Sequence, residues 1–234
     1  MKIAAMQPTY LPWMGYFNLI CTADTFVFLD DAQFERRSWH NRNRVILAGK
    51  LTWLTVPVLS KGSFGQKIID TKIISDSPWK RAHAATLMAA YAKAPHKDVI
   101  FELAKLYDHF EFTSICELNI QLIGWISNVL EIKTEIVRTS ELDIPGKRSE
   151  RLLRLCRTLG ASEYLSPRGA RDYIEADGVF AQENFPVSYQ DFRPPAYRDS
   201  SPLHAGEFPS ILDAIAYLGP AGTKALVMEK CYER

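Results

Sequence analysis

Residues 2–31 read KIAAMQPTYLPWMGYFNLICTADTFVFLDD, and the order of patterns inside this stretch decides the fold. Lys2 to Met6 is a short apolar run of strand length. Gly15 to Ala23 suits a helix, and Thr25 to Leu29 is β-branched and aromatic before it meets Asp30 and Asp31. Strand, loop, helix and strand in succession make a βαβ unit, whose strands lie parallel through a right-handed crossover. The loop inside that unit, QPTYLPWMGYF at 7–17, is dense in proline and aromatic rings and holds one glycine.

Working outward, RVILAGKLTWLTVPV at 44–58 is two β-rich runs around Ala48-Gly49-Lys50, a hairpin in which glycine supplies the positive φ. KIIDTKII at 67–74 reads as a further strand or a pair of short ones. From Ser77 the pattern becomes helical and alanine-rich as far as Pro95, and further helices are expected at about 97–109 and 114–130. The β pattern returns at Thr134 to Arg138. It is followed by the loop TSELDIPGK, a helix SERLLRLCRTLG with Gly160 as C-cap, a strand EYLSP, a strand-like PVSYQDF and a short helix SILDAIAYLG. The expectation is an α/β fold in a single domain over residues 1–234: a Rossmann-like, mainly parallel sheet with a β-hairpin and a mostly helical insertion at about 77–130.

Composition narrows the function classes. The chain has 234 residues, 47% of them hydrophobic, enough to bury a large core. Its 28 basic and 27 acidic residues leave a net charge of +1, so no overall field draws it to nucleic acid or to an acidic membrane. Cys21, Cys116, Cys156 and Cys231 are far apart, without paired metal-ligand spacing, which fits free thiols in a reducing cytoplasm. The apolar run at the start is too short for a signal-peptide core, and the run at 118–130 is broken by Asn119, Gln121 and Asn128, so no membrane insertion is expected. Uncommitted apolar surface is compatible with a homodimer.

In an open parallel sheet, ligands bind outside the carboxyl ends of the strands. That directs attention to three loops, 7–16, 30–43 and 139–149. In the first, Gly15 has no Cβ, so an anion could approach the free N–H groups and positive dipole end of the following helix; Tyr10, Trp13 and Tyr16 offer flat faces with polar tips. In the second, Asp30 and Asp31 could hold a magnesium ion, orient an amine or ribose, or act as a base, with a solvated turn as the bland alternative. Arg42 between Asn41 and Asn43 suits bidentate recognition of a carboxylate, a phosphate or sugar hydroxyls, and Gln33 stands nearby. His40 lacks a second histidine at ligand spacing, which argues against zinc. In the third, Lys147 and Arg148 could neutralise a phosphate held by the first loop. Ser149 and Glu150 also read as a helix cap, and Arg168 beside Gly169 marks another strand-to-helix junction.

Two resemblances add to this reading. The N-terminal βαβ unit is similar to the opening of the nucleotidylyltransferase superfamily, which includes pantothenate synthetases. Where those proteins carry an H-x-G-H signature this chain has Pro12-Trp13-Met14-Gly15-Tyr16, with no imidazole to stabilise a transferring phosphoryl group. Over nearly the whole chain, QPTYLPWMGYF, DDAQF, HNRNR, WLTVPV, AYAKAP and FPSILDAIAYLG resemble the WbqC-like family. Its motif falls here on Gln7, Pro8, Tyr10, Gly15, Tyr16, Asp30, Asp31, Gln33, Asn41, Arg42, Asn43, Ser210 and Asp213. That resemblance implies a bacterial protein of O-antigen or other surface-polysaccharide biosynthesis, and the leading expectation built on it is a cytoplasmic transferase or ligase that modifies a sugar nucleotide or amino sugar, with acyl or aminoacyl transfer to an amine as the reaction considered. The assignment that follows gives Asp30, Asp31 and Arg42 catalytic roles, and gives Gln7, Tyr10, Gly15, Tyr16, Gln33, Asn41, Asn43, Lys147, Arg148 and Arg168 substrate-binding roles, with ATP or a nucleotide sugar with Mg²⁺ as co-substrate and no resident metal. The alternatives are a nucleotidyltransferase or ATP-dependent ligase without the usual histidines, and a non-catalytic protein that binds a sugar nucleotide.

Overall fold

The computed structural model describes residues 1–59, 65–109, 111–197 and 208–229, with the backbone of Tyr232–Glu233; Cys231 lies outside the described residues. Five parallel strands form the central sheet: β1 (Lys2–Met6), β2 (Thr25–Phe28), β5 (Glu135–Arg138), β6 (Glu163–Ser166) and β7 (Val187–Gln190). In space they run β5-β2-β1-β6-β7, and a short β8 (Tyr232–Glu233) joins β7 antiparallel. The expected β1–loop–α1–β2 unit is present, with α1 at Met14–Thr22 and Ile3 to Met6 in parallel register with Thr25 to Phe28.

The strands read as continuous apolar runs because both sheet faces are covered. Ala4, Phe26, Phe28 and Leu165 point into one apolar cluster, under α1, α8 (Leu212–Val227) and the helical region. Ile3, Ala5, Val27 and Tyr164 point into another, under α5 (Arg148–Thr158), α6 (Arg171–Asp177) and α7 (Val179–Gln182). The intervening segment holds the hairpin β3 (Arg42–Leu47) and β4 (Lys50–Thr55), then α2 (Trp79–Tyr91), α3 (Lys97–Leu106) and α4 (Ile115–Val129). Ala48 and Gly49 both take positive φ, 49° and 76°, as a tight two-residue hairpin turn requires.

The stretch 67–74 is not a regular strand. Its backbone is shared among several neighbours: Ile68 N–H donates to Ala32, Ile69 to Asp30, Ile73 to Thr113 and Ile74 to Pro57. Isoleucine-rich composition supplies β-propensity, but among the described residues it forms only isolated bridges, from Lys67, Lys72 and Ile73. The C-terminal helix extends beyond the expected short one, through a kink where Gly219 takes φ 71° ahead of Pro220. The small helices α6 and α7 follow a segment whose sequence marks only a strand-to-helix junction.

Strand order reverses between β1 and β6: β2 and β5 lie to one side of β1, while β6 and β7 lie to the other. Connections leaving the carboxyl ends of β1 and β6 therefore diverge, and a crevice opens between them.

Candidate functional site

The crevice is real and has two compartments. One, of about 360 Å³, lies over the β1/β6 reversal, and its walls include Gly15, Arg168, Gly169, Gln190 and Arg193. The other, of about 230 Å³, lies toward the hairpin, with Thr9, Pro12, Trp39, Asn43 and Arg44 among its walls. Both are lined by Met6, Trp13, Tyr16 and Phe208.

The loop that forms the shared wall is held rigidly. Tyr10 N–H donates to the Trp39 carbonyl at 2.9 Å, and Ile211 N–H to Pro12 at 2.9 Å. The Asn43 amide donates to the carbonyls of Tyr10 (3.1 Å) and Leu11 (2.8 Å), and buried Asn119 donates to Pro8 (3.0 Å) and His40 (2.7 Å). These bonds offset a left-handed Leu11, φ 43°. The proline-rich stretch is thus pinned on both sides by asparagines from other elements.

Within it, Trp13 stacks on Phe208 at 4.6 Å between centroids and 22° between planes. Gly15 is required for that placement, since a Cβ there would lie inside the Trp13 indole. The space freed by the missing Cβ is therefore filled by the protein's own ring, while α1 still begins at the compartment wall with no side-chain cap. The Gly15 carbonyl accepts from Gln190 Nε2 at 2.7 Å, which ties β7 to α1. Tyr16 is buried and its hydroxyl donates to the Gln7 carbonyl at 3.0 Å.

Arg168 and Arg193 bring positive charge to the larger compartment. Both pair with Asp191, Arg193 Nε at 3.4 Å and Arg168 through Nη1. One carboxylate stands against two guanidiniums. Among the expected binding residues, Gly15, Tyr16 and Arg168 are thus gathered here. Asn43 sits at the hairpin compartment with both ends of its amide committed, Oδ1 accepting from Arg44 N–H at 2.7 Å.

The remaining expected residues lie elsewhere. Tyr10 is in the core, its hydroxyl bonded to Tyr107 and, at 2.8 Å, to His83 Nδ1. Asn41 clasps Val56, donating from Nδ2 at 2.8 Å while its own carbonyl accepts Val56 N–H. Gln33 forms an isolated bridge with Lys67. Gln7 follows β1; the Glu35 N–H to His40 Nδ1 bond (3.2 Å) makes Nδ1 the acceptor, so His40 Nε2–H donates to Gln7 Oε1 at 3.2 Å. Burial holds the His40 imidazole down to about 4, so it is neutral near pH 7. Lys147 precedes α5 and is exposed, and Arg148 pairs with Asp177 at 3.0 Å.

Asp30 and Asp31 form a separate cluster at the ends of β2 and β5. Asp30 is fully buried and accepts from Arg138 Nε (2.8 Å), Ser140 N–H (2.9 Å) and Ser140 Oγ (2.6 Å). Arg138 also reaches Glu117 at 3.0 Å; burial works against its charge, but these two carboxylates raise its pKa overall. Asp31 accepts from Arg151 at 2.5 Å and from Thr139 at 2.7 Å. Burial pushes the Asp31 carboxyl up, yet the bonds from Arg151 and Thr139 and the charges of Arg151 and Lys67 hold it below the usual range. Each of the four carboxylate oxygens already accepts a donor. Such a pair ties the 139–140 turn and α5 to the end of β2.

Arg42 lies on the hairpin, its guanidinium 4.2 Å over the Trp53 ring and its Nη2 donating to the Arg37 carbonyl. Among the described residues no group of three or more His, Cys, Asp or Glu could hold a metal, and no helix is long and apolar enough to cross a membrane. Burial pushes the Cys21 thiol up to about 11 and those of Cys116 and Cys156 to about 12, so none is a thiolate nucleophile near neutrality. The sequence reading passed over Gln190, Phe192, Arg193, Trp39, Trp53 and Phe208. The carboxyl-end rule applied to PVSYQDF would have reached the first three, while Phe208 comes to the cleft only by tertiary folding.

A parallel Rossmann-like sheet with a cleft at its point of strand reversal defines an α/β protein. Within that class the chain belongs to the WbqC-like protein family, whose model matches residues 7–225. It is 37% identical over 221 residues to the uncharacterized protein Rv1507c of Mycobacterium tuberculosis, covering 93% of this chain and 94% of that one. No solved structure matches the chain.

Proposed function

We propose that this protein is a cytoplasmic enzyme of surface-polysaccharide biosynthesis that binds a sugar nucleotide in the larger compartment and modifies its sugar. The observation that carries the reading is the shared cleft at the strand reversal, where the uncapped start of α1, Arg168 and Arg193 line one volume. Backbone N–H groups and two guanidiniums against a single carboxylate suit a diphosphate, and the aromatic wall of Trp13, Tyr16 and Phe192 suits the attached ring. Membership of the WbqC-like family supports the polysaccharide setting.

The reaction we favour is acyl or aminoacyl transfer to an amine carried by the sugar. In such a reaction the nucleophile arrives with the substrate, and the protein's contribution is chiefly to orient it. The rigid 7–13 loop meets that requirement, because five hydrogen bonds' worth of backbone pinning need not be created on binding. In this reading Asp30 and Asp31 are positioning residues that hold the 139–140 turn and α5 against β2.

Calorimetric titration with UDP-N-acetylglucosamine tests the reading. Saturable binding is expected, weakened about tenfold or more when Arg168→Ala and Arg193→Ala are combined, as befits loss of charge-assisted phosphate contacts. Equal binding by the double variant would remove the site; mass spectrometry of reactions containing an acyl donor then separates an enzyme from a binding protein.

A further inference from the structure

The hairpin side of the cleft carries a feature that a single sugar nucleotide over β1 and β6 does not use. β3 alternates, so Arg42 and Arg44 share its outer face while Asn43 and Val45 turn inward. Trp53 of β4 stands directly opposite Arg44 in the ladder. Trp39 packs beside it, 5.6 Å between ring centroids and 32° between planes. Two large indoles remain 46% and 44% exposed, an expensive placement for apolar surface on a two-stranded hairpin. The guanidiniums lie over them: Arg42 4.2 Å from the Trp53 centroid, and Arg44 5.4 Å and 5.3 Å from Trp39 and Trp53. Among the described residues Arg42 makes no ion pair, and its Nε is buried with no hydrogen-bond partner. Trp39 and Arg44 also line the smaller compartment, whose lining includes the stacked Trp13–Phe208 pair.

We propose that this compartment and the Trp39–Trp53 ladder form a second ligand subsite, for a ring that carries a phosphate or carboxylate. Four aromatic side chains, Trp13, Tyr16, Trp39 and Phe208, line a slot of about 230 Å³ and suit a ring. Arg42, which stands over Trp53 beside the compartment and forms no ion pair among the described residues, takes the anion. The Asn43 amide is spent on the Tyr10 and Leu11 carbonyls and on Arg44 N–H, so it is not available to read the edge of a ring. Recognition is therefore by face and charge, which a mononucleotide or a sugar phosphate can each satisfy. This proposal rests on the preceding reading only in assigning the larger compartment to another molecule, so that the protein brings two substrates to opposite sides of Trp13.

The probes are AMP and glucose 6-phosphate, with adenosine, glucose and inorganic phosphate as controls, followed by quenching of tryptophan fluorescence and by calorimetry. At least one anionic ring should bind about tenfold more tightly than its uncharged counterpart or phosphate alone. Trp39→Ala, Trp53→Ala and Arg42→Ala should each weaken it about fivefold or more, while the combined Arg168→Ala, Arg193→Ala variant should not. Because these side chains are surface-exposed or partly so, circular dichroism should show the variants folded. AMP binding selects the nucleotide as source, and glucose 6-phosphate binding selects the sugar. Binding of neither, or binding lost in the Arg168/Arg193 variant and retained in Trp39→Ala, overturns the second subsite. Failure of UDP-N-acetylglucosamine to bind leaves this outcome readable, since the substitutions lie across Trp13 from the larger compartment.

Discussion

Two clusters of charge stand at the carboxyl edge of the same sheet, and they differ in how far their charges are satisfied. At the ends of β2 and β5, Arg138 bridges Asp30 and Glu117 and Arg151 pairs with Asp31, three carboxylates to two guanidiniums, with Thr139 and Ser140 adding hydrogen bonds to the aspartates. At the ends of β1, β6 and β7, Arg168 and Arg193 share Asp191 and border open volume. The first cluster can fasten; the second has capacity left for a guest. Charged residues crowded at a strand end are therefore poor evidence of a binding site until their partners are counted.

Breaking the fastening cluster should have the largest effect. Asp30→Ala leaves Arg138 Nε and the N–H and hydroxyl of Ser140 without a buried acceptor, and urea unfolding should show a loss of about 3–4 kcal/mol. A loss under about 1 kcal/mol would mean the pair is as dispensable as an exposed one, and the contrast would collapse.

The buried histidines give the next effect. Burial lowers His40 and His83 from the ordinary 6.5 to about 4, so the unfolded chain takes up protons first as pH falls. Stability is full above about 6.5 and declines between there and about 4, by about 2–3 kcal/mol for each histidine. The Asp31 contribution, from a carboxyl held low, drops out at still lower pH. Denaturation midpoints flat from pH 7 to 4.5 would contradict the neutral, buried assignment of both rings.

Gly15→Ala comes third. Its methyl would displace the Trp13 indole, and overpacking of this kind costs about 1–3 kcal/mol. Near-ultraviolet dichroism should report the moved tryptophan, and the wall shared by both compartments should shift with it.

The smallest effect belongs to the open cluster. Removing Arg168 and Arg193 together should change stability by no more than about 1 kcal/mol, since both are exposed and screened. Thermal melts in low and high salt check this. A large loss would show that these arginines fasten as Asp30 does.

The architecture was legible because it depends on local pattern. Lys2 to Met6 and Thr25 to Leu29 are apolar runs that only a sheet covered on both faces can use, and the loop and helix between them force parallel pairing. The hairpin was legible from Ala48-Gly49, the only place among the described residues where two positive φ values stand in succession. The 67–74 segment was misleading because strand propensity says nothing about whether a neighbour runs alongside. Within the site, Gly15, Tyr16 and Arg168 were recognisable from their positions after strands. Tyr10 and Asn41 share the same loops but face inward, which no spacing revealed.

The amino-acid order by itself determined the βαβ opening, the parallel sheet, the separate hairpin and the strand-end location of a cleft, because hydrophobic period and turn chemistry act over a few residues. Which polar groups remain open was decided only by the tertiary structure. Asp30 meets Arg138 across 108 positions, Gln190 meets Gly15 across 175, and those partners consume or spare hydrogen-bonding capacity that every such side chain carries equally in the unfolded chain.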